Sequence, residues 1–279
     1  MKTNYRLITV LGFLFIVGAV HPASPLESAL SGATWSEAFE VLKPADWQVQ
    51  LYSFPANGCN MLESHVAVTN SRLVLRVDPN SDPRLPKPFN GGEVGSTRFF
   101  KHGLFVVRMK SAAARGGVSA FFLMNRWQPE NWEHREIDIE FIGNKPRAVQ
   151  LTTHDFQNGG RDWKQASATV DLGFDATADF HEYAILWAKD RVEWFVDRRL
   201  VHRETRYVPP EPLQIRMNVY LGDVREPGIA QWLGAVDRST LPATAEYERL
   251  DYFPLEALPS VYDSTKGRVE EGRKGQAVR

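Results

Sequence analysis

The chain has 279 residues, a formal charge of −1 and 43% hydrophobic residues, which excludes disordered and fibrous classes. A near-zero charge with no Lys/Arg-rich run gives neither nucleic acid nor an anionic membrane surface a counterpart. The single cysteine, Cys59, excludes an internal disulfide and cysteine-rich zinc sites, and reads as a half-buried small apolar residue.

At the N-terminus, Lys2 and Arg6 precede an apolar run of 14 residues, 7–20. A membrane-spanning helix needs roughly 20 apolar residues. The run therefore reads as the core of a secretory signal peptide over residues 1–23, cleaved after Ala23 or, failing that, after Ala33. The expected product is exported, soluble and monomeric, without stable membrane association. From there the chain reads as β. "HVAVTNSRLVLRVD" places two extended runs around Thr69-Asn70-Ser71, with Leu73, Leu75 and Val77 alternating with Val74 and Arg76. Short runs rich in β-branched and aromatic residues follow at 103–110, 118–125, 148–156, 181–188, 191–197 and 213–222, with Gly, Pro, Asp or Asn between them. No long segment of helical period competes. Many short strands with frequent turn signals predict a sandwich or barrel, here one domain over residues 34–257. From Leu258 the chain turns polar and charged and is expected to be a flexible tail, 258–279.

One stretch stands out: "EIDIEF", in which Glu136, Asp138 and Glu140 alternate with Ile137, Ile139 and Phe141. On a strand, residues two apart share a face, so three carboxylates point one way and three apolar side chains point into the core. A solvated strand face would interleave Lys or Thr, which this stretch lacks. A calcium cage would take its ligands from a flexible loop. A paired-carboxylate site, in which mutual repulsion leaves one acid protonated and another ionised, fits the pattern.

With its surroundings, this stretch resembles glycoside hydrolase family 16, whose signature is Glu-x-Asp-x-Glu on one strand. "STRFFKHGLFVVRMK", "EIDIEFIGN", "FHEYAILWAKDRVEWFVD", "MNVYLG" and "QWLG" are similar to family segments in the family's order, over roughly residues 91–252. The resemblance is strongest to the licheninases and to glycanases that trim bacterial exopolysaccharides such as succinoglycan. It implies an all-β jelly-roll sandwich of two curved antiparallel sheets with a concave cleft. It also implies Glu136 as nucleophile, Glu140 as general acid/base and Asp138 as the residue that orients and tunes both. Retaining glycosidases hold two carboxyl groups about 5–5.5 Å apart, whereas Cα atoms four apart on a strand are about 13 Å apart. The long Glu arms must therefore converge on a curved sheet. No extra residue precedes the last Glu, so no β-bulge should interrupt the strand.

For the walls of the cleft, the resemblance implies Glu93, His154, Asn218, Tyr220 and Trp232; Trp127 and Trp132, just before the catalytic strand, would line it too. Aromatic faces stack on sugar rings, and core packing is the plain alternative for each. Where licheninases carry Cys-Ala-Glu-Tyr-Arg-Ser, this chain has Gly91-Gly92-Glu93-Val94-Gly95-Ser96, so a Tyr and an Arg that contact substrate there are missing. No cofactor is expected. The resemblance leaves room for a structural calcium at Glu248, which nothing else in the sequence supports. His134 and His181 are isolated in sequence and read as structural. No G-x-S-x-G elbow, H-E-x-x-H, P-loop or dinucleotide motif is present. The expected activity is a secreted retaining endo-β-glucanase with a polysaccharide as its partner. A transglycosylase on the same residues and a lectin-like glycan-binding module are the rivals, and the intact carboxylate triplet favours an enzyme.

Overall fold

Alternation of apolar and polar residues, short turns and a few close-packed glycines build the architecture. The computed structural model describes residues 32–125, 133–157, 162–226 and 228–262. The expected leader, Trp127, Trp132 and residues 263–279 lie outside the described residues. In chain order the strands are β1 (Trp35–Glu37), β2 (Trp47–Val49), β3 (Cys59–Met61), β4 (Val66–Val68), β5 (Leu73–Pro79), β6 (Phe89–Phe100), β7 (Gly103–Lys110), β8 (Gly117–Met124), β9 (His134–Ile142) and β10 (Ala148–Gln157). They continue with β11 (Asp162–Asp171), β12 (His181–Trp187), β13 (Val192–Val196), β14 (Arg199–Glu204), β15 (Leu213–Leu221) and β16 (Ala243–Phe253). One short helix, α1 (Ile229–Leu233), precedes the last strand.

The strands join edge to edge in the order β11-β10-β9-β8-β15-β6-β5-β16-β7-β12-β13-β14. This strongly curved sheet folds over so that its two halves face one another. Phe141 on β9 meets Tyr183 on β12 edge-on at 4.8 Å. The Trp194 indole on β13 donates to the Asp138 carbonyl on β9 at 3.0 Å, and the Tyr247 hydroxyl on β16 donates to the Ala120 carbonyl on β8 at 2.8 Å. The result is the expected jelly-roll β-sandwich.

The hairpin read at residues 69–71 is present. Asn70 and Ser71 both take positive φ, 53° and 54°, as a tight hairpin turn requires, and Leu73, Leu75 and Val77 are buried. Two expectations are corrected. Cys59 is fully buried rather than half-buried, and its sulfur accepts from the Leu221 amide at 3.2 Å. The expected tail is packed at its start: Tyr262 is fully buried and its hydroxyl bonds Glu182 on β12. At the position considered for calcium, Glu248 accepts from Arg72 at 2.8 Å and Arg108 at 2.7 Å, so guanidinium groups take up its carboxylate.

β6 sits at the fold between the halves and pairs with β15, β2, β3 and β5. Its glycines permit this crowding. A Cβ on Gly91 would lie 2.6 Å from the Val219 carbonyl, whereas one on Gly95 would meet only flexible side chains, Gln50 Nε2 at 3.1 Å and Arg216 Cγ at 3.6 Å. Gly91→Ala is accordingly expected to cost about 1–3 kcal/mol or more, lowering Tm by roughly 3–10 °C in a domain of this size. Gly95→Ala should shift Tm by less than about 2 °C. Thermal denaturation of the two variants checks this, and equal shifts would contradict it.

Candidate active site

The concave half of the sheet is read most simply as rows running across its strands. β9 keeps an unbroken register with both neighbours, so no bulge displaces Glu140. Ile137, Ile139 and Phe141 fill the core behind it, at 3% exposure or less. In front, one row runs Gln150, Glu140, Ala120, Asn218 and Glu93 across β10, β9, β8, β15 and β6. The next runs Thr152, Asp138, Phe122, Arg216 and Gly95, and a third runs His154, Glu136, Met124 and Gln214. The three carboxyl groups therefore stand side by side in the floor of a cleft of about 720 Å³. Its lining includes Glu93, His154, Asn218, Tyr220 and Trp232, all five of the described residues expected in the walls.

Each carboxyl has different surroundings. Asp138, in the middle, is 1% exposed. Burial, followed by the charges of Glu136 and Glu140, raises it well above the usual aspartate range, and its proton bonds Glu136. Burial alone would also raise Glu136. His134, whose Nε2 lies 3.0 Å from Oε2, outweighs that together with His154 and the Asp138 proton, bringing Glu136 down to about 2. No histidine among the described residues pairs with Glu140, and burial with repulsion from Glu136 pushes it up to about 8. Near neutral pH the row thus offers an ionised carboxylate at Glu136 and a carboxylic acid at Glu140, a nucleophile and a proton donor on one strand face.

Glu140 is held by a relay. The Trp232 indole N–H, on α1, donates to Gln150 Oε1 at 3.0 Å, and the Gln150 amide donates to Glu140 at 3.4 Å. An indole can only donate, so it fixes which end of Gln150 faces Glu140. Trp232 thus takes part through its polar edge as well as its ring. His154 sits across from Glu136 on β10, its Nε2 3.2 Å from Asp138 Oδ2, and burial pushes its imidazole down.

His134 was expected to be structural, and that is corrected here. It lies two residues before Glu136 on β9 and therefore on the same face, where it pairs with the carboxylate and stacks on Phe156 at 5.3 Å. The spacing of two was visible in the sequence. Tyr52 and Phe54 also line the cleft and were not anticipated. They come from an irregular segment before β3 with no periodic pattern. The Lys87 ammonium pins that segment by donating to Ser53 Oγ, to the Phe54 carbonyl and to Asn57, and Phe54 meets Tyr220 edge-on at 5.4 Å. Glu136, Asp138 and His154 bring ligand atoms within 4.8 Å of one another, which meets the geometric demand of a metal site. Two buried atoms of this group, Asp138 Oδ2 and His154 Nδ1, have no hydrogen-bond partner among the described residues.

A jelly-roll sandwich with an aromatic-walled groove and an acid–carboxylate pair in its floor has the architecture of a carbohydrate-processing domain. Residues 56–240 match the glycosyl hydrolases family 16 model. A β-glucanase of Acetivibrio thermocellus is 36% identical over 215 residues, covering 75% of this chain and 58% of that protein, so the chain spans well under two thirds of that relative. A β-glucanase of Brevibacillus brevis is 29% identical over 264 residues, covering 92% of this chain and 97% of that protein. The solved structure of a prokaryotic β-1,3-1,4-glucanase (lichenase) derived from a mouse hindgut metagenome superposes with a TM-score of 0.70 at 30% identity, over 79% of this chain and 99% of the other. The chain belongs to glycosyl hydrolase family 16, a family of glycoside hydrolases that act on O-glycosyl bonds.

If His134 depresses Glu136, then His134→Ala must raise it. In a titration followed by carbon NMR of labelled glutamate side chains, Glu136 should move up from about 2 toward the ordinary carboxylate range. An unchanged Glu136 titration would mean that His134 does not set its charge.

Proposed function

We propose that the protein is a secreted retaining endo-β-glucanase, with a β-1,3-1,4-linked glucan as its first candidate substrate. The observation that carries this reading is the row of three carboxyls on the cleft face of one strand, with His134 against Glu136, surroundings that hold Glu136 down at about 2 and push Glu140 up to about 8. Glu136 attacks the anomeric carbon while Glu140 protonates the leaving oxygen. Glu140, then ionised, takes a proton from the water that cleaves the glycosyl–Glu136 bond, and both carboxyls return to their starting states. Asp138 supplies the hydrogen bond that keeps Glu136 a carboxylate in the free enzyme. The walls place Tyr52, Phe54, His154 and Trp232 along a groove that suits an extended sugar chain. The likeness to a solved lichenase and to β-glucanases supports the choice of glucan. A reducing-sugar assay across lichenan, laminarin, succinoglycan and xyloglucan, with product masses, tests it. Turnover of lichenan with water as acceptor is the expected result, and no turnover of any of the four would refute it.

The protonation states fix a pH profile. Glu140 must be protonated, so kcat/KM should be lost as pH rises through about 8. Glu136 must be ionised, so the acid limb should appear only as pH falls toward about 2, unless unfolding intervenes. A basic limb below pH 6 in the wild type would contradict the assignment of Glu140.

Azide separates the two glutamates. Glu136→Ala should lose nearly all turnover and, with azide, give an α-glycosyl azide by direct attack. Glu140→Ala should still form the intermediate from an aryl glycoside with a good leaving group and give a β-glycosyl azide. Asp138→Asn should cost less than either change. Interchanged azide products would reverse the roles.

Export belongs to the same proposal. Protein recovered outside the cytoplasm should begin between about Ser24 and Thr34 by intact mass, and full-length protein in the membrane fraction would count against it.

A further inference from the structure

Glu93 and Gly95 are two residues apart on β6, and both face the cleft side. Across from them on β15 stand Asn218 and Arg216, in register with Glu93 and Gly95 respectively. Side chains paired this way on antiparallel strands have Cβ atoms about 4.5–5.5 Å apart. Gly95 has no side chain, and Arg216 extends over that space, its Cγ 3.6 Å from where a Cβ would sit. From there its guanidinium donates to Glu93 Oε1 at 2.8 Å, to the Tyr52 hydroxyl at 3.1 Å and to Gln214 Oε1 at 3.3 Å. Arg216 is 5% exposed and Glu93 3%, so the pair is desolvated and neither charge stands without the other. Burial raises Glu93 above the usual carboxylate range, and Arg216 opposes that rise.

Glu93 is the cleft-lining member of the pair. Its second oxygen accepts from the Asn218 amide at 3.4 Å, which turns Asn218 Oδ1 away from it. Asn218 is 6% exposed, lines the cleft, and its Oδ1 has no protein partner among the described residues. A buried acceptor without a partner costs free energy until a donor reaches it, and a sugar hydroxyl is such a donor. Glu93 stands three strands from Glu140, about 14 Å across a flat sheet. On the concave sheet it lines the same cleft as the three carboxyls, from a different strand, so it meets a different part of the glycan from the oxygen that Glu140 protonates.

We propose that Arg216 is a specificity-determining positioning residue: reaching from β15 over Gly95, it fixes Glu93, and through it Asn218, as an acceptor pair for the hydroxyls of a neutral sugar, apart from the oxygen that Glu140 protonates. The arginine that licheninases carry at the position of Gly95 is thus replaced from the neighbouring strand. The proposal rests on the glucanase reading of the cleft.

The test is a set of four variants measured on lichenan: Glu93→Gln, Arg216→Met, the two combined, and Arg216→Met with Gly95→Arg. Arg216→Met should raise KM about tenfold with kcat within about threefold, the pattern of lost uniform binding. Because Arg216 acts through Glu93, the combined variant should be no worse than the poorer single one. Gly95→Arg should bring KM back to within about threefold of wild type. An unchanged KM in folded Arg216→Met, additive losses in the combined variant, or no rescue by Gly95→Arg would each overturn the proposal. If Arg216→Met does not fold, recovery of the fold by Gly95→Arg supports it, and failure to recover overturns it. Titration of Glu93 by carbon NMR, upward in Arg216→Met and restored in the Gly95→Arg variant, needs no glycan. It separates a failure of this proposal from a wild type that turns over no glucan, and an unmoved Glu93 would overturn the role of Arg216.

Discussion

Three carboxyl groups on one face of one strand cannot all ionise, and the site depends on that constraint. Two like charges about 4 Å apart repel by about 4 kcal/mol at an effective dielectric of about 20. The fold adds burial, which penalises each charge again. The least costly state places the single negative charge at Glu136, against the His134 ring and the Asp138 proton, and leaves protons on Asp138 and Glu140. Acid and nucleophile are thus separated by their surroundings, because two of the three groups have the same chemistry.

That separation needs a rigid strand. β9 is central in its half of the sheet, and its apolar side chains are locked into the core. The opposing half reaches through the core to hold it, with the Trp194 indole on the Asp138 carbonyl and Phe141 against Tyr183. A slip of one residue would turn the carboxyls into the core and the isoleucines into the cleft. The same buried alternation that stabilises the sandwich therefore also fixes the catalytic face.

Much of this was legible in the chain. Alternation announced β5 and β9, and runs rich in β-branched and aromatic residues between turn signals announced β7, β8, β10, β12, β13 and β15, of which β8, β13 and β15 are buried on both faces. β6 escaped, since Gly91, Gly92 and Gly95 interrupt any run of β-branched or aromatic residues, while the packing uses Gly91 and Gly92 for close backbone approach. β16 escaped because its Glu and Arg residues pair across the outer face and obscure the alternation. In the site, the spacing of two identified the carboxyls and applied equally to His134, which was passed over as an isolated histidine. Tyr52 and Phe54 reach the cleft, and Gln150 and Arg216 reach Glu140 and Glu93 in its lining, through loop placement and cross-strand register, neither of which a linear pattern encodes. The loss of an arginine at position 95 looked like a lost contact. The pairing of β6 with β15 brings the Arg216 side chain beside Gly95 and its guanidinium onto Glu93.

The central claim is that one negative charge is shared unequally among three carboxyls, and it is tested most directly by locating the protons. Neutron diffraction from deuterium-exchanged crystals of the wild-type protein near pH 6 should show deuterium on Asp138 and on Glu140 and none on Glu136. Deuterium on Glu136 with Glu140 bare would contradict the account.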